Sequence, residues 1–259
     1  MSPAWILPIL IRNLLLVVVV MGFWNHLLYV WKRQGTRFKY NRRWPDKRNP
    51  SFFLQSQLLD NLFYTFVWSV PIMTLCEVAG LWIQANGWSP TVSWQDHPVY
   101  LTFLVLMIPA LHMIHFHFLH WSIHSGPLYR WIHSVHHRNI NPGPWSALSA
   151  HPIETLATFA SIWPFLLVPS HGLIIITAIL YNFSLASEAH LGFGKVELGK
   201  DGQPTLDTTD NYYHYLHHRY HECNYSGSVL DLWFGTWHDG TVAAHEKMKS
   251  RLKRLVVHR

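Results

Sequence analysis

Apolar residues run in three long blocks along the chain, from about residue 6 to 31, from 58 to 83 and from 99 to 118. Each block reaches the roughly 20 residues that a helix needs to cross a ~30 Å hydrocarbon layer. The first block is longer than the apolar segment of a secretory signal and has no small-residue cleavage site before the basic stretch that follows, so it reads as a span. A fourth apolar region, 155–186, is interrupted by Pro164, Pro169 and Gly172. It is expected to form a helical hairpin or one kinked, re-entrant span. The fold expected is all-α, an integral membrane protein of three to four spans with a histidine-rich helical cap. Residues 1–98 would supply membrane spans and a basic loop, 99–240 a catalytic domain, and 241–259 a basic tail able to lie along an anionic leaflet.

The loops orient these spans. Between residues 31 and 48 stand eight Lys/Arg and one Asp, whereas 84–98 contains no Lys or Arg. The positive-inside rule places the first loop in the cytoplasm and the second outside, so the third span returns the chain to the cytosolic side. Charged residues make up 13% of the chain against roughly 25% in soluble domains, which fits burial in lipid and excludes disorder. The net charge of +6 is then a matter for the membrane surface, and nucleic acid is not an expected partner. Neither a P-loop nor a GxGxxG signature is present, and two cysteines without a CxxC pair exclude a thiolate metal site.

Twenty histidines remain to be explained, and most lie in two clusters, 112–137 and 190–221. His120 and His124 are one helical turn apart. His133, His136 and His137 follow at i, i+3 and i+4, and the same HxxHH spelling recurs at His214, His217 and His218. Eight imidazoles gathered at a membrane surface would repel one another if protonated and lack partners if neutral. Divalent ions resolve both problems, and eight or nine ligands suffice for two. Imidazole suits Fe, Zn, Cu or Ni equally, so spacing does not name the metal. His190 is expected to join the ligands. His151, with Glu154 one turn on, is expected to orient a ligand rather than bind metal. His117 falls on the His120/His124 face, and with His112 and His115 lies deeper in the third span, where it could line a substrate path. His171 and His221 are ambiguous, and His26, His97, His245 and His258 read as incidental.

The ordered strings His120-Trp-Ser-Ile-His124, Leu128-Tyr-Arg130, His133-Ser-Val-His-His137, His151-Pro-Ile-Glu154, His214-Tyr-Leu-His-His218, Asn224-Tyr225 and Phe234-Gly-Thr236 together resemble the fatty acid hydroxylase/sterol desaturase superfamily. The resemblance implies a di-iron centre on the cytosolic side, dioxygen as co-substrate, and hydroxylation or desaturation of unactivated lipid C–H bonds. The metal ligands it implies are His120, His124, His133, His136, His137, His214, His217 and His218, with His190 at a less uniform position. Asn224, His151 and Glu154 are the further catalytic candidates. Trp121 stands where the family has arginine, and Ala186 where fatty-acid members have another histidine, which points to the sterol-desaturase-like branch. Two electrons must come from a separate donor, a ferredoxin or a b-type cytochrome with its reductase, since no flavin, haem or nicotinamide signature is present.

An ether-lipid or amino-lipid monooxygenase of the same superfamily is an alternative, and a histidine-rich metal transporter is one from another class. A zinc hydrolase is disfavoured by the absence of HExxH. The short N-terminus and the lack of an endoplasmic-reticulum retrieval tail favour a bacterial inner membrane over the endoplasmic reticulum.

Overall fold

In the computed structural model, residues 3–198, 204–227 and 229–257 are described. Four helices are long and apolar enough to cross a membrane: α1 (Ile6–Val30), α2 (Gln57–Ala85), α3 (Pro98–Ile123) and the later α6 (Gly172–Ala189). Between α3 and α6 lie a π-helical turn, Tyr129–His133, leading directly into α4 (Ser134–His137), and then α5 (Pro152–Phe159). After α6 come the ribbon β1 (Lys195–Glu197) and β2 (Thr205–Asp207), then α7 (Asn211–Tyr220), α8 (Val229–Trp233) and α9 (Val242–Val257). The ribbon is antiparallel, with Val196 opposite Leu206. His258 lies outside the described residues.

Local sequence sets the ends of these elements. Pro98 and Pro152 occupy first turns, where the missing N–H is no loss. Ser56 caps α2 by accepting from Leu59 N. His151 and His171 cap α5 and α6 in the same way, each accepting through Nδ1 from the backbone N–H two residues on, at 3.2 and 3.1 Å. The interrupted region is therefore a hairpin. α5 continues as a 3-10 segment, Ala160–Leu166, where Pro164 interrupts regular bonding, and α6 returns.

The spans meet in one apolar core, where Met21, Met73, Leu101, Phe159, Ile175 and Phe183 are all but sealed from solvent. Their other faces are bare: Leu15, Val19, Phe103 and Leu106 are more than half exposed, as lipid-facing side chains would be. One polar contact crosses this core unannounced by the hydropathy pattern. Arg12 of α1 is ion-paired with the buried Glu77 of α2, and Asn13 donates to Thr74 at 3.0 Å. Inside hydrocarbon such a pair holds two helices together because separation would leave each charge alone.

The loops segregate to two ends. At one end, the segment 84–98 meets the α5–α6 connection, where Thr91 pairs with Ser170 and Ser89 donates to Leu166 O at 2.8 Å. At the other, the basic segment after α1 packs against the ribbon and the chain around residue 141. Lys39 donates to Asn141 at 2.8 Å, Gln34 to Lys195 O at 2.8 Å, and the Tyr29 hydroxyl lies 2.9 Å from Leu191 O and 3.1 Å from Pro142 O. This second end carries the histidine-bearing turns.

Candidate metal centre

All nine sequence-derived ligand positions converge, and they do so as two groups. His120, His124, His133, His137 and His217 form a first group, and His136, His190, His214 and His218 a second. The ligand atoms of each group lie within 4.8 Å of one another. Each HxxHH triplet is divided between the groups. The i, i+4 pair His133/His137 joins the first while His136 joins the second, and the pair His214/His218 joins the second while His217 joins the first. Successive residues on a helix diverge by about 100°, so i+3 and i+4 side chains cannot both point at one ion. The rings of His137 and His218, from opposite groups, are only 4.9 Å apart between centroids.

The hydrogen bonds show which nitrogen faces inward. His136 Nδ1 donates to Ser149 O at 3.1 Å, His190 Nδ1 to Ala186 O at 2.8 Å and His217 Nδ1 to Cys223 O at 2.6 Å. His120 Nδ1 donates to Tyr225 O, and His133 Nδ1 to Glu154 Oε1 at 2.8 Å. A carbonyl can only accept, so Nδ1 carries the proton and Nε2 is left with its lone pair. Those lone pairs then face each other: His120 and His133 Nε2 stand 2.9 Å apart, and His136 and His190 Nε2 3.3 Å apart. The remaining contacts run from 3.0 Å between His190 and His214 to 3.2 Å between His124 and His217. Lone pair against lone pair is repulsive unless a cation lies between. Imidazole nitrogens about 2.1 Å from a shared ion stand about 3.0–3.4 Å apart, which is the spacing seen here. Among the described residues His137 has no hydrogen-bond partner at either ring nitrogen, although it is buried. The donor set therefore fits metal.

Burial prepares the imidazoles for that role by disfavouring their charged form. Desolvation pushes His124 down to about 2, His136 to about 4 and His190 to about 3, with neighbouring imidazoles adding to the effect at His124 and His190. His133, His137, His214, His217 and His218 are driven well below the ordinary histidine value, first by burial and then by the surrounding rings. Neutral imidazole is the ligating form. Burial pushes the Glu154 carboxyl up, and the N–H of His133 is its partner.

The three other candidate residues have distinct placements. Glu154 touches His133 directly. His151 does not, because its ring is turned back to cap α5. Asn224 is fully buried and holds the loop after α7. Its Nδ2 donates to His238 O at 2.8 Å and Tyr213 O at 3.2 Å, and its Oδ1 accepts from His238 N at 2.8 Å. This loop carries the Cys223 and Tyr225 carbonyls that orient His217 and His120, so Asn224 acts on the centre through them. Asp231 secures the same loop, accepting from Tyr225 N and Ser226 N at 2.9 Å each. Its carboxylate was not singled out by the sequence, and only its place three residues before the Phe-Gly-Thr string could have drawn attention to it.

The other histidines are dispersed. His117 contacts Ser226 Oγ at 3.0 Å and His115 Nε2 donates to Ala157 O at 2.9 Å, so both tie α3 to neighbouring segments. His221 ends α7 at a φ of 65° and receives Tyr129 at 3.0 Å, with its ring 4.5 Å from that of His137. Trp121 is 53% exposed and faces away from the ligands.

Beneath the centre lies a cavity of about 280 Å³, walled by α3, α5 and α6. His120, His133, His136, His190 and His214 line its head, so it reaches both groups, while Phe116, Leu148, Phe159 and Leu185 give it apolar sides.

Comparison with known proteins places these features in company. The family model described as fatty acid hydroxylase matches residues 100–236. Methylsterol monooxygenase erg25A of Aspergillus fumigatus is 30% identical over 189 residues, covering 70% of this chain and 57% of that protein. Methylsterol monooxygenase 1 of Gallus gallus is 24% identical over 207 residues, covering 74% and 66%. The Delta(7)-sterol 5(6)-desaturase of Candida glabrata is 27% identical over 181 residues, covering 64% and 44%. The chain thus spans about half to two thirds of the length of these relatives. No solved structure matches.

Proposed function

Since this chain belongs to the fatty acid hydroxylase family, we propose that it is a membrane oxygenase that hydroxylates or desaturates an unactivated C–H position of a lipid, with two irons held by the nine histidines. The observation that carries this reading is the pair of inward-facing imidazole groups at the head of an apolar cavity between membrane-spanning helices. Relatives named for sterol oxygenation and sterol desaturation support both reaction outcomes. A bound redox-active metal pair would supply dioxygen activation, which a lipid C–H bond requires because it offers no acid, base or nucleophile a handle.

The chain's own residues do the rest. His120, His124, His133, His137 and His217 hold one ion, and His136, His190, His214 and His218 the other. Glu154 fixes the tautomer of His133, and cations held beside it would offset the burial that favours its neutral form and keep it ionised. Phe116, Leu148 and Phe159 keep water from the chain of the lipid, so that reactive oxygen meets substrate rather than solvent. The substrate is a sterol-like or fatty-acyl lipid. Electrons come from a ferredoxin or b-type cytochrome with its reductase.

We assign the centre to the cytosolic side, because the cation-rich loop 31–48 packs at the same end of the helices. Residues 99–240 then act as the catalytic domain, 1–98 as its membrane support and 241–259 as a basic tail on the leaflet. The relatives named above come from eukaryotes, so they lend nothing to a bacterial inner membrane, and an endoplasmic-reticulum setting fits them better. Mass spectrometry of lipids from cells with and without the gene tests the function. A lipid heavier by one oxygen or lighter by two hydrogens, lost in His136→Ala, is expected. Identical lipid profiles in cells that make metal-loaded protein and contain a reductase chain would overturn it.

A further inference from the structure

One histidine in the cavity has no role in holding metal. His112 is 5% exposed, lines the cavity, and makes no hydrogen bond among the described residues; its Nδ1 is sealed from solvent without a partner. Its ring packs between Phe116, at 5.7 Å, and Tyr181, at 5.6 Å. A buried imidazole always has one N–H to give and one lone pair to receive, and leaving both unused in an apolar setting is costly. Asn182, next to Tyr181 in α6, lines the same cavity; its Nδ2 is spent on Thr158 O at 3.0 Å and on Ser161, while its carbonyl oxygen makes no hydrogen bond among the described residues.

We propose that His112, with Asn182, binds a hydroxyl group of the lipid substrate and so decides which carbon is presented to the metals. The inference rests on the proposed function for the presence of a lipid, and goes beyond it in naming the group recognised and its distance. A hydroxyl both donates and accepts, which matches an imidazole paired with an amide oxygen. An anionic head group does not fit: the cavity is lined by the carboxylates of Glu154, Glu188 and Asp210 and by no lysine or arginine. Histidines 112 and 120 are eight residues apart on one helix, about 12 Å along its axis, so the hydroxyl is held roughly two turns of α3 away from His120. The carbon presented to the metals is then set back along the substrate from the bound hydroxyl.

The test is equilibrium binding of radiolabelled cholesterol and 1-hexadecanol to the purified full chain in nanodiscs, each set against the same molecule lacking its hydroxyl. At least one alcohol should bind wild type about tenfold or more tightly than its deoxy counterpart, because the deoxy ligand leaves the polar pair unsatisfied. His112→Phe keeps the ring packing and should bring that preference within about threefold, with unchanged metal content, while His112→Gln should restore part of it. Wild type that does not prefer either alcohol, or a preference that survives in His112→Phe, overturns the proposal. Binding is read without turnover, so a failure of the oxygenase reading, seen as unaltered lipids, is separable from a failure here.

Discussion

Removing the carboxylate behind one ligand should weaken a single ion while leaving its neighbour alone. Glu154 Oε1 accepts the Nδ1–H of His133 at 2.8 Å, both groups are buried, and His133 belongs to the five-histidine group. A hydrogen bond to an ionised acceptor is worth about 1.5–3 kcal/mol, and a neutral one roughly half of that. Glu154→Gln keeps an acceptor but loses the charge, so it should cost about 1 kcal/mol, or roughly fivefold in metal affinity. Glu154→Leu loses both and should cost about 2 kcal/mol, roughly thirtyfold, within the tenfold to hundredfold range typical of residues that support metal ligands. Chelator competition with the purified protein in detergent, read by elemental analysis, should show one tight ion retained and one weakened in the order wild type, Gln, Leu. Equal loss of both ions, or Leu no weaker than Gln, would refute the argument that this carboxylate acts through His133.

Other outcomes follow from the same geometry. His136→Ala and His217→Ala remove donors from different groups, so each should halve the metal content rather than abolish it; complete loss in either, measured by elemental analysis, would mean the groups are not separate sites. Burial sets the pH dependence of the metal-free protein. His136 is pushed down to about 4 and His190 to about 3, below the ~6.5 of an unfolded histidine. Stability conferred by keeping them neutral is present above pH ~6.5 and is lost as pH falls toward those values, about 3 kcal/mol for His136. The thermal midpoint of metal-free protein should accordingly drop between pH 7 and 4, and a rise would contradict this. Gly192→Ala should destabilise the cap by more than 1 kcal/mol. Gly192 has a φ of +77°, and a Cβ there would come within 2.4 Å of Tyr29 Oη and 2.7 Å of Pro142 O. A lowered melting temperature with impaired binding of the second ion checks it.

How far these features could be read from the chain varies with the physics behind each. Hydropathy located four helices because lipid demands long apolar runs, and the third continues to Ile123 since its histidine-bearing end keeps helical bonding. The gathering of the eight histidines of the HxxxH and HxxHH strings is legible because helical spacing repeats in the letters. Their division into two groups is not, because it depends on how α4 and α7 are rotated against α3. The backbone carbonyls that orient four of the imidazoles have no side-chain signature, and Ala186 shows why. Its position departs from the fatty-acid pattern in the side chain, yet its backbone oxygen directs His190. His151 is another case, since the proline after it makes its ring a helix cap while the carboxylate three residues on reaches His133. Arg12 and Glu77 are 65 residues apart, and only packing reveals them as a pair.

The interleaving of the two triplets makes the short helices work as gears. His136 and His137 are consecutive residues that belong to different histidine groups, as are His217 and His218, so a twist of either helix shifts both sets of donors at once. Capture of a first ion locks both axles and leaves the second set of donors already aligned. The second ion should then bind faster than the first, because its donors need no rearrangement, while either site can still be emptied on its own.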